Sequence, residues 1–249
     1  MSNIENVKKY YSEWLDSSLE DFDKDELHSY LSLKRDQRQE GYSSNYLIYC
    51  VVYKNSVLLS YSNHVKDKVK ALSGLNVNNI QALLKESFSE KLQCRQIYYY
   101  DKDDIKIDTT NAVFLTKQDY ILYENFFKEQ NPGLITEGWL KEYFYYLCDN
   151  GLCFGIYADN KLVSATDAPF IPYMSDIISE PGINTLMNYR KMGFAKKVCA
   201  KFIKHQINLN KTTIWTCRQN NEASKNLAEA LGFIKFADLF TVEGNNSND

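Results

Sequence analysis

Two apolar runs separated by a two-residue polar turn fold most simply as a β-hairpin, and this chain carries the arrangement twice. Tyr46-Leu-Ile-Tyr-Cys-Val-Val-Tyr53, Lys54-Asn55 and Ser56-Val-Leu-Leu-Ser-Tyr61 form the first; Leu152-Cys-Phe-Gly-Ile-Tyr157, Asp159-Asn160 and Leu162-Val-Ser-Ala-Thr166 form the second. A hairpin cannot bury its own faces, so the flanking segments must cover it. Apolar residues three and four apart predict helices over 3–19, 25–39, 65–72, 77–92, 117–129, 136–148 and 222–231. Another starts at or near Gly193, where Ala195, Val198, Cys199, Phe202, Ile203 and Ile207 share one face. Further strands are expected at 96–100, 112–115, within 175–186, at 212–217 and at 236–242. The order is mixed α/β, read as α+β with strands around a glycine-bearing strand-to-helix turn.

With 10 Gly and 4 Pro, the chain has few breakers and no low-complexity linker before its polar end. Residues 1–110 and 111–243 read as two α/β units with little freedom to separate, and 244–249 as a disordered tail. Twenty-nine basic against thirty-two acidic side chains give a net charge of -3, which supplies no field for nucleic acid or an anionic membrane. No apolar run reaches the ~18 residues of a membrane span, and the first residues lack a signal-peptide core. A cytoplasmic protein is expected. Six scattered cysteines without a C-x-x-C pair read as reduced, buried thiols, and three histidines without metal-ligand spacing give no zinc site.

Chemistry concentrates at the turn before the helix at Gly193. The first amides of a helix lack carbonyl partners and carry the positive end of its dipole, which suits a phosphate. Glycine permits close backbone approach, Ala195 keeps the next turn clear, and Arg190, Lys191, Lys196 and Lys197 add positive charge. Taken alone, the same residues also describe a tight turn before a solvated basic face.

The wider block resembles the GNAT-type N-acetyltransferases, and within them the zwittermicin-resistance-type branch. Arg190-Lys-Met-Gly193-Phe-Ala195 matches the acetyl-CoA pattern R/Q-x-x-G-x-G/A. Asn221-Glu-Ala-Ser224, followed by Leu231-Gly232-Phe233, is similar to the second cofactor motif. Thr185 before Tyr189-Arg190, with Trp215 in the next strand, carries the likeness to the branch. The resemblance covers about residues 111–243. It implies a GNAT fold with a mixed central sheet, preceded by a smaller α/β unit read as a degenerate half-GNAT that walls one side of the acceptor cleft.

The resemblance also implies residue roles. The 190–195 turn, with Phe194, Lys191 and Lys196, would hold the pyrophosphate of coenzyme A, the strand ending at Leu186 would pair with its pantetheine arm, and an amide near Thr185 would polarise the thioester carbonyl. Asn221 would bond the pantetheine and Ser224 would lie near the sulfur or phosphates, serving as a candidate acid. Asn221 reads equally as a helix N-cap and Ser224 as a first-turn residue. Glu180 is the first choice of general base and Asp176 the second, although a glutamate beside Pro181-Gly182 also fits an exposed turn. Ala228 replaces the tyrosine that many members use to protonate the departing thiolate, which leaves Ser224 or water. Trp139, Tyr143, Phe144, Tyr145 and Tyr146 crowd one helix, with Tyr143 or Tyr146 as candidate pocket walls.

The resulting expectation is an acyltransferase that moves acetyl from acetyl-CoA directly to an amine of a small-molecule acceptor. A coenzyme A-binding sensor without turnover is the alternative, and a structural interaction protein a third reading. The sequence names neither the acceptor nor the oligomeric state.

Overall fold

Both expected hairpins form, and their strands seed two sheets. The computed structural model describes residues 2–39, 41–42, 44–71 and 79–244. The first half runs α1 (Asn3–Leu15), β1 (Leu27–Leu31), β2 (Tyr46–Tyr53), β3 (Ser56–Tyr61), α2 (Lys66–Lys70), α3 (Ile80–Phe88) and β4 (Leu92–Tyr99). Then follow β5 (Val113–Phe114), α4 (Tyr120–Gln130), α5 (Leu140–Asp149), β6 (Phe154–Ala158), β7 (Lys161–Asp167), β8 (Ile178–Ser179) and β9 (Gly182–Thr185). The chain closes with α6 (Phe194–Asn208), β10 (Thr212–Arg218), α7 (Glu222–Leu231) and β11 (Ile234–Glu243). The expected tail beyond Gly244 and the 72–78 parts of two expected helices lie outside the described residues.

The fold is mixed α+β. Seven strands in the order β1-β3-β2-β11-β4-β10-β8 make the larger sheet, and β5-β6-β7-β9 the smaller. β1 with β3 and β8 with β10 pair parallel; the other pairs are antiparallel. β11, from the end of the chain, lies between β2 and β4, so one sheet runs across position 110. Val7, Tyr10, Tyr11, Trp14 and Leu15 of α1 cover one face of this sheet, against Tyr49, Val51, Ile97 and Leu239. Ile80, Leu84 and Phe88 of α3 cover the other, against Ile48, Cys50, Leu59 and Phe240. Burial of these faces, rather than helix propensity, holds α1 and α3 in place.

The expected helix over 25–39 is instead strand β1 followed by a short 3-10 turn, Leu33–Arg35. Its apolar residues suit both periods, and pairing with the edge of β3 decides for the strand. The expected helix over 3–19 stops at Leu15, where Asp16 turns into the left-handed region at φ 54° and caps it. The single strand expected within 175–186 is two strands in different sheets. β8 pairs with β10 through Ile178 and Ser179, whereas β9 begins at Gly182 opposite Asp167 of β7. Glu180 and Thr185 therefore do not share a strand. Pro181, without an N–H to give a ladder, stands at the crossing. There the sheets part, and cavities open on both sides of β9.

Candidate active site

The first cavity, about 700 Å³, is a groove between β9, the turn before α6 and the start of α7. Antiparallel pairing with β7 commits alternate residues: Leu186 N–H donates to Val163 C=O at 2.9 Å, and Asn184 lies opposite Ala165. By the same alternation, Ile183 and Thr185 direct their amides away from β7, toward the groove. The Thr185 hydroxyl stays behind, 2.8 Å from Ser164 Oγ, and its carbonyl accepts from Arg190 Nε at 3.1 Å. The strand thus offers the groove a free edge, with Ile183 and Thr185 amides as donors. Leu186 is buried and its amide is already used.

Gly193 takes the N-cap of α6 at φ 81°, a left-handed geometry that favours glycine. Lys197 N–H makes the first helical bond, to Gly193 C=O at 3.2 Å. The amides of Phe194, Ala195 and Lys196 precede that bond and have no intrahelical acceptor. A Cβ built on Gly193 would meet nothing within 4 Å, so open space lies in front of this helix end. Arg190, Lys191 and Lys196 line the groove as expected, but Lys197 turns away to pair with Asp108 at 3.0 Å.

From α7 come Asn221, Ala223, Ser224 and Leu227. Asn221 Oδ1 accepts Ser224 N–H at 3.1 Å, so it is the N-cap of the helix while still facing the groove. Ser224 Oγ accepts the Trp215 indole N–H at 3.0 Å. Its hydroxyl proton has a second partner in the neighbouring Cys217 thiol, where the contact partly opposes the rise in pKa from burial. Ala228 is buried and supplies no acid.

A second cavity, about 400 Å³, lies on the other side of the crossing. It is lined by Arg95, Thr216, Leu239 and Thr241 of the larger sheet, by Tyr10, Tyr11 and Trp14 of α1, and by Tyr143, Asp167 and Pro169. Trp14 stacks on Tyr49 at 4.9 Å with 8° between the rings, which stiffens the aromatic side. Gly182 belongs to this cavity and the adjacent Ile183 to the groove, so the two spaces abut along β9.

Two carboxyls line the second cavity. Glu180 Oε1 accepts the Thr216 amide N–H at 2.8 Å, bridging the crossing to β10. Burial raises its pKa; the bond from Thr216 and the charge of Arg95 oppose the rise only in part. Asp167, at the end of β7, is pushed up to about 6 by burial. The carboxylate packs against Gly182, where a Cβ would displace it from its present position. Asp176 is exposed and lines neither cavity. Of the aromatic candidates, Tyr143 faces the cavity and donates its hydroxyl to Ala168 C=O at 3.2 Å, whereas Tyr146 is exposed and outside it. The sequence reading missed Asp167, Arg95 and the α1 aromatics.

A carboxyl held at about 6 instead of near 3.8 makes the native state bind a proton more tightly than the unfolded chain. Its cost is therefore absent below pH 3.8, grows as the pH rises toward 6 and is complete above that. Asp167→Asn is expected to stabilise the protein by about 3 kcal/mol at pH 8 and by almost nothing at pH 4. Urea unfolding at the two pH values checks this; an equal effect at both would remove the ionisation cost as its cause.

The architecture can now be set beside known proteins. A family profile described as GNAT acetyltransferase matches residues 49–238. An acetyltransferase from the GNAT family of Colwellia psychrerythraea has a similar fold: TM-score 0.54, 19% identity, 79% of this chain and 81% of that one covered. A candidate GNAT-family acetyltransferase from Novosphingobium aromaticivorans matches at TM-score 0.49 and 19% identity over 61% of this chain; the match spans 64% of that protein's length. A GCN5-related N-acetyltransferase-like protein from Streptococcus suis matches at TM-score 0.42 and 18% identity, over 77% of this chain and 82% of that one. No curated protein matches in sequence. Fold and family together define an enzyme of the acyltransferase class. The chain belongs to the GNAT acetyltransferase family, whose profile runs across both its halves.

Proposed function

We propose that the protein is an acetyl-CoA-dependent N-acetyltransferase that passes acetyl directly to an amine of a small-molecule acceptor. The observation that carries this reading is the pair of abutting cavities. One offers a helix N-terminus and a free strand edge; the other offers two carboxyls among aromatic walls. The donors of the groove fit coenzyme A: Phe194, Ala195 and Lys196 amides with Arg190 and Lys191 toward its phosphates, and the Ile183 amide toward its pantetheine arm. When bound, acetyl-CoA supplies the activated acyl group as a thioester.

The remaining work falls to side chains and backbone of this chain. The Thr185 amide, fixed by its strand, stabilises negative charge on the thioester oxygen. Glu180 takes the proton of the acceptor amine, held in position by the Thr216 N–H. For an alkyl amine with a lysine-like pKa of ~10.4, reaching the neutral form at pH 7 costs about 4 to 5 kcal/mol, which a raised carboxyl is suited to offset. Ser224 is the candidate donor to the thiolate, since it lines the groove and its oxygen already accepts from Trp215. No cysteine is assigned a covalent role.

Within the family, Glu180, Thr185 and Trp215 favour the zwittermicin-resistance-type branch. Residues 1–110 are assigned as the acceptor-cleft wall and 111–243 as the acetyltransferase unit, because Tyr10, Trp14, Tyr49 and Arg95 face the same cavity as Glu180. A cytoplasmic setting suits the six free cysteines. Among the described residues, no helix is long and apolar enough to cross a membrane.

The second reading is a coenzyme A-binding sensor, favoured by the buried Ala228 at the position of the usual acid. Thiol release from acetyl-CoA, measured with polyamines, aminoglycosides, amino acids, peptides and amino-polyol antibiotics, separates the two. Turnover with at least one amine supports the transferase; tight coenzyme A binding with no turnover on any would favour the sensor.

A further inference from the structure

Among the described residues, Arg95 is the only cation lining the second cavity. It sits on β4 opposite Leu239 of β11, and its Nε is shut off from water without a hydrogen-bond partner. Among the described residues the side chain makes no ion pair and no hydrogen bond, although two carboxyls share the cavity with it. Thr241, two residues along β11 from Leu239 and on the same face of the sheet, also buries an unpartnered hydroxyl. Arg35 differs in place: it is fully buried among aromatic rings and donates to Trp14 C=O at 2.9 Å, although its Nε and Nη1 also lack partners, and it does not line this cavity.

A guanidinium is a donor-only fork that stays charged, and leaving its Nε shut off from water without an acceptor is costly. The missing partner is therefore an oxyanion that arrives with the ligand. One arginine matches the single charge of a carboxylate in bidentate geometry. A phosphate dianion would meet one cation and face Glu180 and Asp167, which is poorly compensated. Both carboxyls are instead well placed for a positive group. Tyrosine and tryptophan rings line the same cavity, so the body joining the two charged ends can be apolar.

We propose that the acceptor is an amino carboxylate, with its carboxylate held by Arg95 and its amine presented to Glu180. This rests on the acetyltransferase reading and narrows its substrate class. Arg95 then fixes orientation: anchoring the acidic end sets which nitrogen reaches the thioester side of β9.

The test uses the full-length protein and binding as well as turnover. N-acetyl derivatives of glycine, leucine, phenylalanine and glutamate are titrated calorimetrically against the corresponding α-amides. The wild type is expected to prefer the carboxylate of at least one pair by about 10- to 100-fold, the range of a hydrogen bond to a charged group. Arg95→Gln is expected to reduce that preference to within about threefold while coenzyme A affinity stays unchanged, because Arg95 lies outside the cofactor groove. Arg95→Lys, which keeps the charge and loses the fork, should retain part of the preference. No preference in the wild type for any pair would overturn the proposal without recourse to a variant, and so would a preference that survives Arg95→Gln. Acetyl transfer to the free amino acids and to their decarboxylated amines is measured alongside. Turnover without carboxylate preference removes the Arg95 assignment and leaves the transferase standing. Arg95-dependent carboxylate binding with no turnover on any amine supports the carboxylate site and counts against the transferase.

Discussion

Coenzyme A affinity is expected to fall by about 100-fold or more in the Gly193→Glu variant, while the fold survives. The left-handed φ of 81° makes any side chain there cost on the order of 1 kcal/mol. No atom stands within 4 Å of the new Cβ, so the strain is conformational and not a collision. A carboxylate at the mouth of α6 would also be stabilised by the unpaired amides of Phe194, Ala195 and Lys196, by roughly 0.3 to 1 kcal/mol. The helix thus gains an internal anion and loses room for an external one. Gly193→Ala separates the two effects, since it carries the same strain without charge, and should keep affinity within about tenfold of the wild type. Calorimetric titration with coenzyme A decides. Equal affinity in the wild type and Gly193→Glu would remove the phosphate cradle.

The features legible in the sequence are those whose geometry is written in contiguous residues. Asp159 and Asn160 both take positive φ, 50° and 60°, which a two-residue hairpin turn between β6 and β7 requires. Gly193 and Asn221 cap the helices their positions announce. Both faces of the proposed cofactor groove are therefore visible as motifs. The second cavity is different, because α1, β4, the end of β7 and the crossing after β8 each contribute only one to three residues to it. Arg95 reads in isolation as one charge in a tyrosine-rich strand, and Asp167 as the polar end of a hairpin. Arg95 lies on the larger sheet and Asp167 on the smaller, and only the meeting of the two sheets at the crossing brings them to one cavity. The error over 25–39 has the same origin: a local pattern compatible with two periods was decided by the exposed edge of β3, far away in neither space nor energy but absent from the window.

Glu180→Gln is expected to lower turnover about 100-fold or more with little change in coenzyme A affinity, the scale for loss of a general base. The substitution spares the structure. A glutamine oxygen can still accept the Thr216 amide, so β8, the crossing and β10 keep their connection, while the group that takes the proton is gone. Nor does Glu180 line the cofactor groove. The pH profile carries the finer information. Burial raises the Glu180 pKa, so wild-type activity should fall on acidification at a pH above that expected for an ordinary glutamate. In Glu180→Gln that acid limb should disappear, and the residual rate should climb with pH as more acceptor amine becomes neutral. Asp167 titrates in the same cavity, at about 6, and is the competing base. The two are separable because they reach the cavity from different sheets. If Glu180→Gln retains the wild-type acid limb and Asp167→Asn abolishes it, the proton leaves through β7 and the role assigned to Glu180 is only to tie the crossing to β10. If the limb follows Glu180, Asp167→Asn should change stability far more than rate.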